Sequence, residues 1–308
     1  MELTAMRSML DEEHAKPFHG SAAEGDQNYY VYGDLSNINV VIGSLPHGTD
    51  GTAGGASLVN DMIRTFRSIG LLLLVGIGGG NPSKEHDIRL GDVVIGTPCD
   101  NHSGVVKYDH GRQTVEGFTI KGYVVPPPKK FLSVITTMKS DHETRPNAIS
   151  TNISQMLERF PRLKAYSRQS PEKDKFFKAE YRHVPGHQQC EGCDKSQLIN
   201  RSPRKNPSSP QAHYGLIASG DRVMKDGIER DKISASLKGK GALCFEMEAG
   251  GVTTTAPCLV IRGISDYSDS HKNDDWQKYA AATAAGFAKE LLSYFSHDKG
   301  MKGVIWDA

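Results

Sequence analysis

The stretch GALCFEMEAGGVTTTAPCLVIRGISDYSD, residues 241–269, indicates the fold class. Within it, the apolar run CLVI, residues 258–261, follows Pro257 and ends near Gly263, which predicts a buried parallel strand. Asp266 comes just after this strand. Because ligands of open α/β sheets bind beyond the carboxyl ends of the strands, Asp266 is a candidate site residue.

A second acidic cluster, EMEAGG at residues 246–251, precedes the same strand. Its small residues would let a ligand approach the backbone closely. Any one of these carboxylates alone would be typical of a solvated helix cap. The order and spacing of the two acidic clusters together favour a functional interpretation.

The order of EMEA, small residues, an apolar strand and R-x-I-S-D resembles the signature of the nucleoside phosphorylase and nucleosidase superfamily. The resemblance implies that Met247 and Glu248 hold the ribose, with Glu248 taking the sugar hydroxyls. It also implies that Asp266 protonates the purine as the glycosidic bond breaks. Glu246 and Ser265, which adjoin these residues, are further candidate substrate contacts.

The chain begins with residues 1–13, whose apolar positions have helical spacing. No strand precedes this helix, although members of the family, the fungal ones above all, carry one there. We therefore expect the first strand of the sheet to be missing. The resemblance places Glu2 where nucleosidases keep a glutamate that activates the attacking water. The alternative is that Glu2 only complements the dipole of the first helical turn.

Residues 71–80, LLLLVGIGGG, predict a buried strand that runs into a glycine turn. Gly76 and Gly78 leave room for a ligand beside the backbone. A dinucleotide fingerprint is not completed, because Asn81 occupies the position of its third glycine.

The same turn separates hydrolysis from phosphorolysis. Phosphorylases of the family carry an Arg just before this Val-Gly step and a Ser or Thr just after it. Leu74 and Ile77 stand at those positions here. Since apolar side chains cannot offset the desolvation of a phosphate dianion, water is the expected nucleophile.

Other segments match landmarks of the family. The glycine-rich residues 46–55 precede a helix and make Thr52 a ribose-side candidate, although a simple loop is the alternative. Val223 and Met224 follow HYGLIASGD, residues 213–221, where the resemblance implies purine contacts; they could equally be core residues at a helix start. Arg89 and Asp92 flank the run LGDVVI and are interpreted as a structural pair.

Residues 125–210 differ in composition and are interpreted as an insertion, partly helical and partly mobile. They interrupt one domain, residues 1–297, which a C-terminal tail, residues 298–308, follows. Cys190 and Cys193 have metal-ligand spacing with His183 and His187 nearby, but a second such pair is lacking. Reduced surface thiols are the alternative to zinc, and no metal or cofactor is predicted.

The balance of charged residues limits the kinds of binding partner that are expected. Lys and Arg number 37 and Asp and Glu 36, so neither nucleic acid nor an anionic membrane is expected as a partner. No apolar run approaches the ~20 residues of a membrane span, and no signal peptide is recognisable. Five sparse cysteines suit a reducing compartment, so a cytoplasmic location is expected.

These observations predict a three-layer α/β/α sandwich with a mixed central sheet and a partly helical insertion. The predicted activity is cleavage of the N-glycosidic bond of a purine nucleoside, adenosine preferred, by hydrolysis. A phosphate-dependent phosphorylase and a degenerate nucleoside sensor without catalysis remain as alternatives. A homo-oligomer, a dimer or a trimer, is expected.

Overall fold

A computed structural model describes residues 1–15, 22–187, 189–237, 239–295 and, for the backbone, 303–307. The helices are α1 (Glu2–Met9), α2 (Gly51–Thr65), α3 (Lys129–Thr144), α4 (Ile149–Arg159), α5 (Gly227–Ser236), α6 (Ala249–Thr255) and α7 (Gln277–Ser293). The strands are β1 (Glu12–His14), β2 (Tyr30–Leu35), β3 (Ile38–Ser44), β4 (Leu71–Gly80), β5 (Val93–Gly96), β6 (Val105–Lys107), β7 (Gly111–Thr114), β8 (Gly117–Ile120), β9 (Ala212–Ser219), β10 (Ala242–Glu246), β11 (Leu259–Asp266) and β12 (Gly303–Asp307).

The large sheet is mixed. Its strands run in the order β1, β2, β3, β12, β4, β10, β9, β5 and β11, and β11 pairs back with β4. Strands β4, β10, β9, β5 and β11 therefore close into a ring. Parallel pairs join β4 to β11, β9 to β10 and β5 to β9, whereas β4–β10 and β5–β11 are antiparallel. The predicted mixed central sheet is confirmed.

The β4–β11 pair lies at the centre of the core. Leu71 to Val75 and Leu259 to Ile261 are all buried, as expected for strands covered on both faces. The register pairs Val260 with Leu74 and, past an irregularity, Asp266 with Gly79. The two motifs singled out in the sequence, the glycine turn and the Ser-Asp step, thus meet at one end of the ring.

Helices complete the outer layers. The long helix α7 packs on β4, β5 and β11, with α1 and α4 against it, while α2 packs on α6. Alanines and Gly286 let α7 lie close to its neighbours, and most of its residues are buried. The three-layer α/β/α prediction is confirmed. Among the described helices, none has the length and apolar character needed to cross a membrane.

Both ends of the chain meet the sheet. The chain starts with α1, as predicted, and β1 forms the edge of the sheet beside β2. Strand β12 lies between β3 and β4 and runs parallel to both, with Ile305 opposite Ile42 and Leu73. The expected C-terminal tail is therefore strand over 303–307, consistent with its β-rich run VIW. Residues 298–302 and 308 lie outside the described residues.

The insertion packs on the body of the domain. The helices expected within it are present as α3 and α4, and α4 packs on α7. Residues 200–210, predicted to be mobile, carry Arg204, which donates to both carboxylate oxygens of the buried Asp92. Arg89 and Asp92, interpreted as a structural pair, meet through the Arg89 N–H, which donates to Oδ2 of Asp92 at 2.9 Å, while the Arg89 guanidinium pairs with Asp87 at 2.7 Å. The sequence did not reveal the Arg204–Asp92 pair because Asp92 takes its cation from residues far along the chain.

Candidate active site

A cavity of about 230 Å³ opens at the carboxyl ends of β4, β10 and β11. These ends meet because β4 pairs with both other strands. The cavity is lined by most of the predicted site residues: Glu2, Gly78, Val223, Met224, Glu246, Met247, Glu248 and Ser265. The structure thus brings together, from five separate segments, residues that the sequence could only place one by one.

Asp266 ends β11 directly behind this lining. Its carboxylate accepts hydrogen bonds from the Ser265 hydroxyl and the Ser268 N–H, both at 2.9 Å, and pairs with the Lys272 ammonium at 2.9 Å. Ser265, Ser268 and Lys272 all line the cavity, whereas Asp266 itself lines a smaller adjoining one.

Glycine at position 79 is what allows this arrangement. A Cβ on Gly79 would stand 2.6 Å from Oδ1 of Asp266 and 2.1 Å from Oγ of Ser268. Such distances are far inside van der Waals contact, so any larger residue would push the Ser-Asp loop away from β4. The predicted glycine turn is wrong, since residues 76–80 continue strand β4, and Gly79 leaves room for the Asp266 side chain.

The EMEA motif is organised by a buried arginine. Arg262, on β11, is 1% exposed and donates to Glu246, and it lies 3.3 Å from Glu248. Oε2 of Glu246 also accepts the N–H groups of Glu248 and Ala249, which begin α6. Glu246 is thus mainly a cap and an ion-pair partner. Its Oε1 is buried and has no hydrogen-bond partner among the described residues.

Glu248 sits in an environment that favours its neutral form. Burial, together with the nearby Glu246 and Glu2 carboxylates, raises the pKa of Glu248 to about 7, although Arg262 opposes the shift. A carboxyl that changes charge near neutrality can bind sugar hydroxyls either as acceptor or as donor. The residue is therefore suited to the ribose-holding role that the family resemblance implies.

Glu2 reaches the cavity. It is the first residue of α1, and its carboxylate is close enough to Glu248 to contribute to the raised pKa of that group. The cavity-lining position agrees with the water-activating role implied for it. Glu2 therefore meets the geometric requirement of that role, a carboxylate facing the space beside the ribose-binding candidate.

Two predicted contacts do not line the cavity. Thr52 is 9% exposed, and its N–H and hydroxyl both donate to the Asp221 carboxylate, at 2.7 and 2.9 Å. It therefore begins α2 as a structural residue. Gly76 lies within the β4–β11 ladder opposite Arg262, before the strand reaches the cavity. Substrate contacts by Thr52 and Gly76 are not supported by this arrangement.

Three further residues belong to the site and were not predicted. Arg262 was within the quoted motif, but its burial between two glutamates is visible only in three dimensions. Lys272 follows the motif by six residues and returns to Asp266 through the loop. Arg222 precedes the predicted Val223 and Met224, lines the cavity and stacks over Tyr108. A cation beside a landmark motif was the available signal for Lys272 and Arg222.

The two positions that bind phosphate in phosphorylases carry apolar side chains here. Leu74 is fully buried, and Ile77 lines the cavity. The cations that do reach the cavity are placed differently, since Lys272 is engaged with Asp266 and Arg222 lies with the residues implied to contact the purine. A phosphate site of the family type is therefore not formed by these residues.

Comparison with known proteins gives a consistent picture. No family model matches the chain. A nucleotide-binding leucine-rich repeat (NLR)-like protein of Hyaloscypha variabilis is 37% identical over 299 residues, 96% of this chain and 28% of that protein. ATP nucleosidase Cap17 of Escherichia coli is 35% identical over 83 residues, 25% of this chain and 16% of that protein. The chain thus spans less than a third of either relative.

Solved structures extend the likeness to nearly the whole chain. The MTA/SAH nucleosidase of Streptococcus pneumoniae, in complex with 8-aminoadenine, superposes with a TM-score of 0.56 at 18% identity. The match covers 95% of this chain and 94% of that one. The chain therefore has the fold of the nucleoside phosphorylase and nucleosidase superfamily, as its motifs predict.

Proposed function

We propose that the chain hydrolyses the N-glycosidic bond of an adenine nucleoside, releasing the free base and the sugar. The observation that carries the proposal is the cavity in which Glu2, Glu248 and Ser265 converge from distant parts of the sequence, with the Asp266 carboxylate directly behind Ser265. Two separated acidic groups around one cavity are what cleavage of a glycosidic bond requires, one for the leaving group and one for water.

Each carboxyl group has a distinct part. Asp266 donates a proton to the purine N7, so that the base leaves as a neutral molecule from an oxocarbenium-like transition state. Glu248 holds the ribose hydroxyls, and Glu2 accepts the proton of the attacking water. General acid catalysis of this kind contributes ~10²- to 10⁴-fold. The ion pair of Asp266 with Lys272 must be replaced when the base binds, because a paired carboxylate has no proton to give.

The expected base is adenine. Met224 lines the cavity, and a backbone carbonyl beside it would accept from the N6 amine. Among the described residues that line the cavity, the carboxylates are Glu2, Glu246 and Glu248, and none of them is assigned to a six-oxo group. Adenosine is therefore expected to react faster than inosine. Equal rates on the two nucleosides would reject this assignment.

A second candidate substrate differs from adenosine in the group at the ribose 5′ position. Arg222 is exposed at the cavity and is a suitable partner for a phosphate oxygen. This favours a 5′-phosphorylated adenosine, which agrees with the substrate named for the Escherichia coli relative. Adenine release from adenosine, 5′-methylthioadenosine and ATP, measured side by side, identifies the preferred class. Arg222→Met should slow only the phosphorylated substrate.

The products test the reaction type. Hydrolysis yields free ribose or its 5′ derivative with or without added phosphate. Turnover that requires phosphate and yields a sugar 1-phosphate would establish the phosphorylase alternative instead. A rise in melting temperature with nucleoside, but no free base, would establish the sensor alternative. The purified chain and a chromatographic assay of the base and sugar suffice for all three outcomes.

A further inference from the structure

A compact loop of the insertion, residues 176–199, lies against the segment that follows β11. Its ends are joined by an antiparallel bridge between Phe177 and Leu198, and the Lys178 N–H donates to the Gln197 carbonyl at 3.0 Å. Inside this loop stand His183, Cys190 and Cys193. The loop therefore brings a histidine and a Cys-x-x-Cys pair together on a closed backbone.

The three ligand atoms are gathered at one point. One ring nitrogen of His183 and the sulfurs of Cys190 and Cys193 all lie within 4.8 Å of one another. A tetrahedral zinc ion, with bonds of about 2.3 Å to sulfur and about 2.0 Å to nitrogen, separates its ligand atoms by roughly 3.5 Å. Only a slight contraction of the cluster is needed. Cys193 is buried and Cys190 half-buried, and neither is in a disulfide.

A second, independent observation points to the same place. His271 is 6% exposed, yet neither ring nitrogen has a hydrogen-bond partner among the described residues. Its Nδ1 stays 3.7 Å from the Asp269 carboxylate, beyond hydrogen-bonding distance. A buried imidazole without partners is costly, so it indicates an unfilled ligand position. The His271 ring centroid lies 5.5 Å from that of His183.

We propose that His183, Cys190 and Cys193 form a zinc site of this protein, with His271 as the fourth ligand. Two thiolates and two imidazoles are a closed structural set for Zn²⁺. The ring of His271 stacks on Phe177, at 4.1 Å between centroids, and it lies outside the 4.8 Å group of the other three ligand atoms, so it must move toward them to bind the ion. This proposal does not rest on the proposed hydrolysis, since no ligand belongs to the residues assigned to the reaction.

The ion would fasten the insertion to the acidic loop. His271 is five residues after Asp266, and the His183 N–H donates to Ser270 of the same loop at 3.0 Å. Cys190 and Asp266 line one small cavity. Zinc bound here would therefore fix the loop that carries the candidate acid. That gives the insertion a function in shaping the site.

Metal analysis of the purified full-length chain tests the proposal. We expect about one zinc per chain, and a tenth of that or less in Cys190→Ser and in Cys193→Ser. Cys99→Ser is the matched control, because Cys99 is a half-buried thiol outside the cluster, and it should keep its zinc. His271→Ala should weaken zinc binding at least ~10-fold, whereas His187→Ala should not. The opposite result for the two histidines would overturn the assignment of His271.

Cobalt provides a test that needs no variant. Co²⁺ added to the metal-free wild-type chain should give the sulfur-to-cobalt charge-transfer and d–d bands of a tetrahedral thiolate site, and zinc should abolish them. Chelation should lower the melting temperature by on the order of 5 °C. A wild-type chain that binds neither metal at micromolar concentration would overturn the proposal. A disulfide between Cys190 and Cys193, seen by mass spectrometry as the loss of two hydrogens from the purified chain, would also overturn it.

Discussion

Asp266 and Asp269 lie three residues apart, yet their side chains have different neighbours. Asp266 contacts Ser265, Ser268 and Lys272, all of which line the main cavity. Asp269 accepts the His271 N–H at 2.9 Å and lies beside the ring of that residue. The first carboxylate is therefore bonded to residues that line the main cavity, whereas the second bonds within its own loop.

We predict that Asp266→Asn lowers the rate of base release by ~10²-fold or more while nucleoside binding survives, because the amide cannot give up a proton. Asp269→Asn is the matched comparison and should keep most of the activity. The measurement is free-base release by both variants together with their melting temperatures. If Asp269→Asn lost activity while Asp266→Asn stayed active, the result would show that the general acid is not Asp266.

Glu248 gives a pH prediction. Since burial raises its pKa to about 7, its carboxylate forms only as the pH rises through neutrality. If the carboxylate accepts from the ribose hydroxyls, KM should fall as the pH is raised from 6 to 8, and Glu248→Gln should remove this dependence while weakening binding. KM measured across that range for both chains is the test, and an unchanged pH profile in the variant contradicts it.

The same raised pKa fixes the sign of a stability effect. Between pH of about 4.5, the ordinary value, and about 7, the folded chain holds a proton on Glu248 that the unfolded chain has lost. The contribution of Glu248 to the free energy of unfolding therefore falls as the pH rises through this window and is constant above it. Glu248→Gln should flatten that part of the stability curve.

Arg262 is the residue on which we expect the site to depend for stability. Arg262→Met leaves the Glu246 carboxylate buried without its cation, which typically costs about 3–5 kcal/mol. Arg64→Met removes an exposed pair with Asp61 and should cost less than about 1 kcal/mol. Urea unfolding of both variants gives the comparison. Equal stability of the two would show that the buried pair is not required by the fold.

At the scale of single residues, the sequence predicted the acidic groups but not their cations. Asp266, Glu248 and Glu2 were identified from motifs, and all lie at or behind the cavity. Lys272 and Arg262 were not assigned roles, because an ion pair depends on how two strands end relative to each other. The bond from the Thr52 hydroxyl to Asp221 was not predictable, because that partner is 169 positions away in sequence.

At the scale of elements, the runs of apolar residues were sufficient to predict the strands of the core. The runs at 71–75 and 258–261 predicted β4 and β11, and their burial follows from the sheet being covered on both faces. Helices α3 and α4 lie in the insertion, which was expected to be partly helical. The order of the strands was not predictable, because pairing of β4 with β10, β11 and β12 joins distant segments.

Strand β12 supports a prediction at the same scale. Its backbone pairs with β3 on one side and β4 on the other, and Ile305 stands in both ladders. Ile305→Pro removes an N–H from this strand and should lower stability by about 1–3 kcal/mol, seen as a fall in melting temperature. Ile305→Val keeps the N–H and should have little effect. An unaffected proline variant would show that the strand does not pair.

At the scale of the whole molecule, the predicted three-layer fold is confirmed, while the organisation of the insertion was underestimated. Its basic, proline-containing composition is typical of mobile loops, yet Arg201 and Arg204 are largely buried and paired with Asp174 and Asp92. Composition cannot distinguish a solvated arginine from one that neutralises a buried carboxylate. The difference lies in partners that are contributed by the rest of the domain.

The position of β12 has a consequence for how the chain acquires its structure. The strand lies between β3 and β4, yet it follows both of them along the chain and is synthesised after them. The pairing of residues 42 and 305 closes a very long loop, and such non-local contacts form slowly. Until β12 is synthesised, β3 and β4 lack the strand that lies between them, and unpaired strand edges of this kind are prone to aggregation.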